Sequence, residues 1–154
     1  MREPTLPGYL EGFPVIVDHK GSALIMAANT EWAERPSAGV ARVLRDALSR
    51  RLDASRVLIA GDGRIPDADL TVEFLALEPR EAALHLDARW LFSCSGACGS
   101  RGGRTQLQVP VASATPAAVA DATTAALASF ADVLARAIPN ECRRFADDLA
   151  RRGR

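Results

Sequence analysis

Leu6-Pro7-Gly8-Tyr9-Leu10, Phe13-Pro14-Val15-Ile16-Val17, Trp32-Ala33-Glu34-Arg35 and Ala41-Arg42-Val43-Leu44 follow one another near the start of the chain, and their order decides its reading. Pro7 and Gly8 set an extended turn. Residues 14–17 and 23–27 are apolar runs of strand length, joined by the polar, glycine-containing loop 18–22. Trp32 closes this hairpin just ahead of a helix over 37–53, for which Ser37 is the expected N-cap and Pro36 the backward stop. Val40, Val43, Leu44, Ala47, Leu48 and Leu52 recur at spacings of three and four along one face, with Arg42, Arg45, Asp46 and Ser49 on the other. That division predicts a helix packed on a sheet through Val43, Leu44 and Leu48.

Outward from this segment, residues 56–60 read as a short buried strand and 61–67 as a loop. Leu70, Val72, Phe74 and Ala76 then alternate with Asp69, Thr71, Glu73 and Leu75, the period of a half-buried strand, and 78–81 reads as a turn. The return strand places Leu84, Leu86, Ala88, Trp90 and Phe92 on one side and His85, Asp87, Arg89 and Leu91 on the other. A glycine- and serine-rich stretch, 93–103, leads to a third strand in which Thr105, Leu107, Val109 and Val111 alternate with glutamines, completing an antiparallel meander. Thr115 caps a second long helix with Pro116 at its first position, and Val119, Thr123, Leu127, Phe130, Leu134 and Ile138 form its stripe. Pro139 ends that helix, and Asn140 caps a short final one carrying Phe145 and Leu149. The elements predict one α/β domain over 1–154, a two- or three-layer sandwich whose mixed, largely antiparallel sheet is packed by two long helices.

At 154 residues the chain can bury a core without metals. Nineteen basic and nineteen acidic side chains cancel, and every cation except Lys20 and the histidines is an arginine. No basic stripe with interleaved aromatics is present, so nucleic acid is not an expected partner. No uninterrupted apolar run reaches bilayer length, which predicts a soluble chain, and Met1-Arg2-Glu3-Pro4 does not open a secretory signal.

The residues that could carry chemistry are scattered. His19 falls in the hairpin loop and His85 on a strand face beside Asp87 and Arg89; both read as solvated histidines, with no serine or cysteine arranged beside them. Asp62, Asp67 and Asp69 lack the spacing of a cation loop, and the Gly61-Asp62-Gly63 stretch precedes a strand where a phosphate loop precedes a helix. Cys94 and Cys98 flank Ser-Gly-Ala, and Cys142 lies far along. This is not zinc spacing; the first two close a small disulfide loop in an oxidising compartment and are free thiols in a reducing one. The expectation is therefore a protein that is not an enzyme and holds no metal or cofactor. Tyr9, Leu10 and Trp32 read either as core residues docking the N-terminal segment or as a partner-binding edge.

The four quoted segments, with Leu48 and Leu52, resemble the ABC-type transport auxiliary lipoproteins, the PqiC-like family, whose pattern is Leu-Pro-x-Tyr-Leu, a strand ending in Ile-Val, Trp-Ala-Glu-Pro-Leu and an Arg-Val-Leu helix. Arg35-Pro36 stands here in place of Pro-Leu. The likeness extends more loosely through 70–90 and the second helix. It implies a fold similar to the N-terminal domain of TolB and a non-enzymatic accessory role in intermembrane lipid transport. The implied partners are MCE-domain proteins and the membrane components of the transporter, with self-association left open. The implied location is the periplasm, anchored to the outer membrane. A lipid-modified cysteine and a short strand precede the Leu-Pro segment in the family. Neither is read here, so a trimmed start and a cytoplasmic member both stand open. The alternative function is a periplasmic carrier of lipid or another small ligand, distinguished by a continuous apolar cavity.

Overall fold

The computed structural model describes residues 1–52, 57, 68–94 and 99–137. The chain runs through a 3-10 turn at Gly8–Leu10, β1 (Pro14–Lys20), β2 (Ala23–Glu31), α1 (Pro36–Leu52), β3 (Ala68–Arg80), β4 (Ala83–Cys94), β5 (Ser100–Pro110) and α2 (Pro116–Ala137). The expected α/β class, with largely antiparallel strands and two long helices, is present. The described strands divide into a hairpin, β1-β2, and a meander, β3-β4-β5. The expected strand 56–60 apart from Val57, the loop 61–67, Ile138 and Pro139 at the end of the second helix, the final short helix, Cys98 and Cys142 lie outside the described residues.

The N-terminal segment links the two sheets. The Thr5 N–H donates to the Val72 carbonyl at 3.0 Å, the Phe74 N–H to the Thr5 carbonyl at 2.8 Å and the Arg2 N–H to the Leu70 carbonyl at 3.1 Å. Thr5 thereby bridges Glu73 in parallel, and the segment covers the open edge of β3. An extended piece ahead of Leu6-Pro7 is thus present after all. Pro4 and Pro7 hide it from periodicity, because proline in a run argues against a strand.

β1 and β2 meet at Gly21, whose φ of +62° lies in the left-handed region that glycine enters freely, so the strands continue closer to the turn than expected. The β3–β4 turn makes the same demand without glycine: Glu81 and Ala82, between paired Arg80 and Ala83, have φ of 51° and 59°. Left-handed backbone costs an L-residue about 1–2 kcal/mol. Replacing both (Glu81→Asn with Ala82→Gly) is expected to raise unfolding free energy by about 1–2 kcal/mol, read as a higher midpoint at unchanged slope in urea.

β3 corrects one expectation. The register shifts between Phe74 and Ala76, so the bulge hands the core face from Leu70, Val72 and Phe74 to Leu77 and Pro79. Ala76 leaves that face, and Glu78, expected in a turn, becomes a strand residue on the opposite one. β5 also starts earlier than expected. Gly103 lies opposite Trp90, and a Cβ there would sit 2.8 Å from the Trp90 ring; glycine makes room for the indole, whose N–H donates to Thr105 Oγ1 at 3.1 Å.

Pro36 is the first residue of α1, its fixed φ suiting that position, and the Arg35 carbonyl accepts from the Gly39 N–H at 3.0 Å. Ser37 is therefore inside the helix and buried rather than its N-cap. For α2 the expected cap holds, with the Thr115 carbonyl accepting from Val119 N–H at 3.0 Å and its hydroxyl from Ala118 N–H at 3.4 Å. Among described elements α1 packs chiefly on α2, while α2 packs on β5, β4 and β1. The α1 stripe that is buried is Val40, Ala41, Leu44, Ala47 and Leu48; Val43, expected in it, is half-buried. Arg51 ties the helices, donating to both Asp132 oxygens at 2.6 and 3.0 Å and to the Ala47 carbonyl at 2.7 Å.

α2 is long and apolar enough, by length and composition, to cross a membrane, contrary to the expectation from uninterrupted runs. Asp121 and Asp132 break such runs, while alanine keeps the average apolar. In the fold its apolar side lies in the core, with Val119, Ala126, Leu127, Phe130, Ala131 and Leu134 almost fully buried. Phe130 meets Phe74 edge-on, ring centroids 5.9 Å apart at 67°.

Candidate functional site

The start of α1, the first half of α2, the Leu6–Leu10 segment, β1, the Trp32–Pro36 connection and the end of β3 line an apolar cleft of about 320 Å³. Its lining includes Leu6, Leu10, Pro14, Ile16, Trp32, Val40, Val43, Leu77, Pro79, Val119 and Leu127. Each of these elements contributes apolar side chains to the lining. Leu10 and Trp32 are half-buried in it. Tyr9 stands beside it, 43% exposed, with Phe13 exposed nearby in sequence and joined through its carbonyl to the Trp32 N–H at 2.8 Å. The three residues expected at a partner edge thus gather around one feature, as neither pure core nor free surface.

A buried carboxylate sits behind this wall. Glu78 is 4% exposed, between the cleft residues Leu77 and Pro79. It accepts a hydrogen bond at 2.8 Å from Arg80 Nη2 and lies close to the Tyr9 hydroxyl. Burial and then this carboxylate push the Tyr9 phenol well above its ordinary range. His19 Nε2 is 3.4 Å from Glu78 Oε1, and the imidazole is 7% exposed. The His19 side chain is therefore buried, correcting the solvated reading: β1 continues through the expected loop and carries it against β3. Among the described residues its Nε2 has no hydrogen-bond partner. Glu78 thus joins the 3-10 turn, β1 and β3, each of which contributes to the cleft. Sequence reading missed it because the alternation of β3, without the bulge, gives no sign that position 78 changes faces.

The polar candidates lie apart from the cleft. His85 and Asp87 line a second hollow of about 420 Å³ on the outer face of the meander, with Glu78, Arg80, Gln106 and Gln108. Among the described residues no hydroxyl or thiol side chain lines it, so the hollow offers carboxylates and an imidazole without a serine- or cysteine-type nucleophile. Asp87 is held by Arg104 Nε and Nη2 at 2.8 and 2.6 Å and by Gln106 Nε2 at 2.9 Å. The Arg104 hydrogen bonds lower its pKa to about 2, with Gln106 assisting. A depressed folded pKa stabilises above the unfolded value and loses that contribution as pH falls through the folded one. The Arg104→Ala protein is therefore expected to lose its stability deficit relative to the parent between about pH 4 and pH 2, checked by denaturant midpoints across that interval.

Asp69 pairs with Arg2 at 2.6 Å, and no cluster of three metal-ligating side chains occurs among the described residues. Asp62 and Asp67 lie outside those residues. Cys94 is disulfide-bonded.

Two solved structures share the fold. One, a crystal structure of an uncharacterized protein, superposes with a TM-score of 0.77 at 19% identity, covering 90% of this chain and 89% of that one. The other, protein XCC0632 from Xanthomonas campestris, gives 0.66 at 19% identity, covering 87% and 78%. A comparison with curated proteins returns no match. The sequence pattern of the family matches residues 1–135, spanning the N-terminal segment, both sheets and nearly all of α2, and the chain belongs to the ABC-type transport auxiliary lipoprotein components.

Proposed function

We propose that this domain is a non-enzymatic accessory component of an MCE-type intermembrane lipid-transport system, docking the assembly at the outer membrane from the periplasmic side. Membership of the transport auxiliary family supports the reading. The observation that carries it is the rim of the cleft, where Tyr9, Leu10 and Trp32 present amphipathic and apolar groups beside a concave surface. Large side chains with an apolar body and a polar tip suit an interface that is wet before binding and dry after it.

The test is capture of the periplasmic part of an MCE protein encoded beside this one. The parent domain, without any lipid anchor, should retain it. Trp32→Ala should weaken capture by about 2 kcal/mol if Trp32 is an interface anchor, with the melting temperature little changed. An equal loss of melting temperature and capture would return Trp32 to the core. Recovery of no MCE protein from cells expressing both at natural levels would overturn the docking role.

A further inference from the structure

We propose that the interior of the cleft is a binding site for a single hydrocarbon chain, such as the acyl tail of a fatty acid or a phospholipid. The argument rests on which hydrogen-bonding groups the walls withhold. Thr123 Oγ1 donates to the Val119 carbonyl at 2.7 Å and Thr124 Oγ1 to the Ala120 carbonyl at 2.9 Å. Both threonines therefore spend their hydroxyls on their own helix. Glu34 and Arg42 close on each other, Arg42 Nε donating to Glu34 Oε1 at 3.2 Å. Pro14, Pro36 and Pro79, all in the lining, have no backbone N–H to offer. The Glu34–Arg42 ion pair is exposed to solvent, and apart from it the remaining polar side-chain donor in the lining is the Trp32 indole N–H.

Such walls select against a peptide. An extended strand laid into the cleft would leave its own N–H and C=O groups without partners, which is costly away from water. A helix about 10–12 Å across is too wide for a space of about 320 Å³ and would insert side chains only. A hydrocarbon chain is narrow, flexible and makes no hydrogen-bond demand, and the volume falls at the small end of the range for ligand pockets. Docking at the rim and chain binding inside are separate claims about neighbouring surfaces.

Trp32 supplies the probe. The chain has two tryptophans, so in a Trp90→Phe background Trp32 is the sole emitter. Saturated fatty acids carrying a bromine on the chain are titrated below their micelle concentrations, and vesicles of phosphatidylcholine with brominated chains form a parallel arm. The expected result is saturable loss of Trp32 emission, with affinity rising about fourfold per added methylene until the cleft is full. Quenching by the free acids alone assigns the source as free fatty acid; quenching by vesicles as well assigns it to membrane lipid. Ala120→Phe, which fills the lining from α2, should weaken half-saturation at least about tenfold. If that variant does not fold by circular dichroism, Val43→Asp tests the same wall from α1. Absence of saturable quenching in both arms, or quenching unchanged in a folded cleft variant, overturns the proposal. Partner capture is scored on the same variants, so a failure of docking and a failure of chain binding are seen separately.

Discussion

Phe130→Ala is expected to lower the free energy of unfolding by about 3–5 kcal/mol, the largest effect of any single truncation in the described core. The Phe130 ring is fully buried and reaches from α2 to Phe74 on β3, so it joins the helical layer to the strand most distant from it in sequence order along the meander. Truncation removes the transfer free energy of the ring, leaves a cavity between elements already tied elsewhere, and deletes the edge-on contact. Chemical denaturation at constant slope checks it; a loss below about 1 kcal/mol would mean that α2 collapses onto the sheet to refill the space.

Leu44→Ala is expected to cost about 2–5 kcal/mol. Leu44 is completely buried in the stripe by which α1 meets α2. Within that range the cost depends on how far the neighbouring side chains can close the gap. An unchanged unfolding midpoint would sink the assignment of Leu44 to the core.

The helices were legible because their apolar residues return every three or four positions, a pattern that survives whatever each helix packs against. The expected partner of α1, a sheet, is corrected to α2, since one stripe serves equally for a sheet or for a second helix. The alternating strands gave the meander, but the bulge after Phe74 depends on how β3 fits against β4, and no residue in 74–76 announces it. Glu78 was lost with it, and so was the burial of the His19 side chain against β3. Pairing of Arg2 and Thr5 with β3 is a main-chain event in a proline-interrupted segment, invisible to side-chain periodicity. Leu10 and Trp32 could be singled out as large apolar residues near the hairpin; Pro79, Thr123 and Thr124 could not, because only the fold brings distant positions to one cleft. The amphipathic ring of Tyr9 marks it in the sequence, whereas its proximity to Glu78 depends on the register of β3.

The alanines of α2 have a consequence for how the domain can change. Ala122, Ala126, Ala131 and Ala135 are buried, so at these positions the helix meets its neighbours through a single methyl group. An added methylene at such a position has nowhere to go without displacing an entire element. Size, more than polarity, is what those positions police: a serine can be accommodated by bonding back to its own helix, whereas a leucine cannot. α2 therefore works as a gauge block, fixing the width of the gap into which α1 and the cleft wall are fitted.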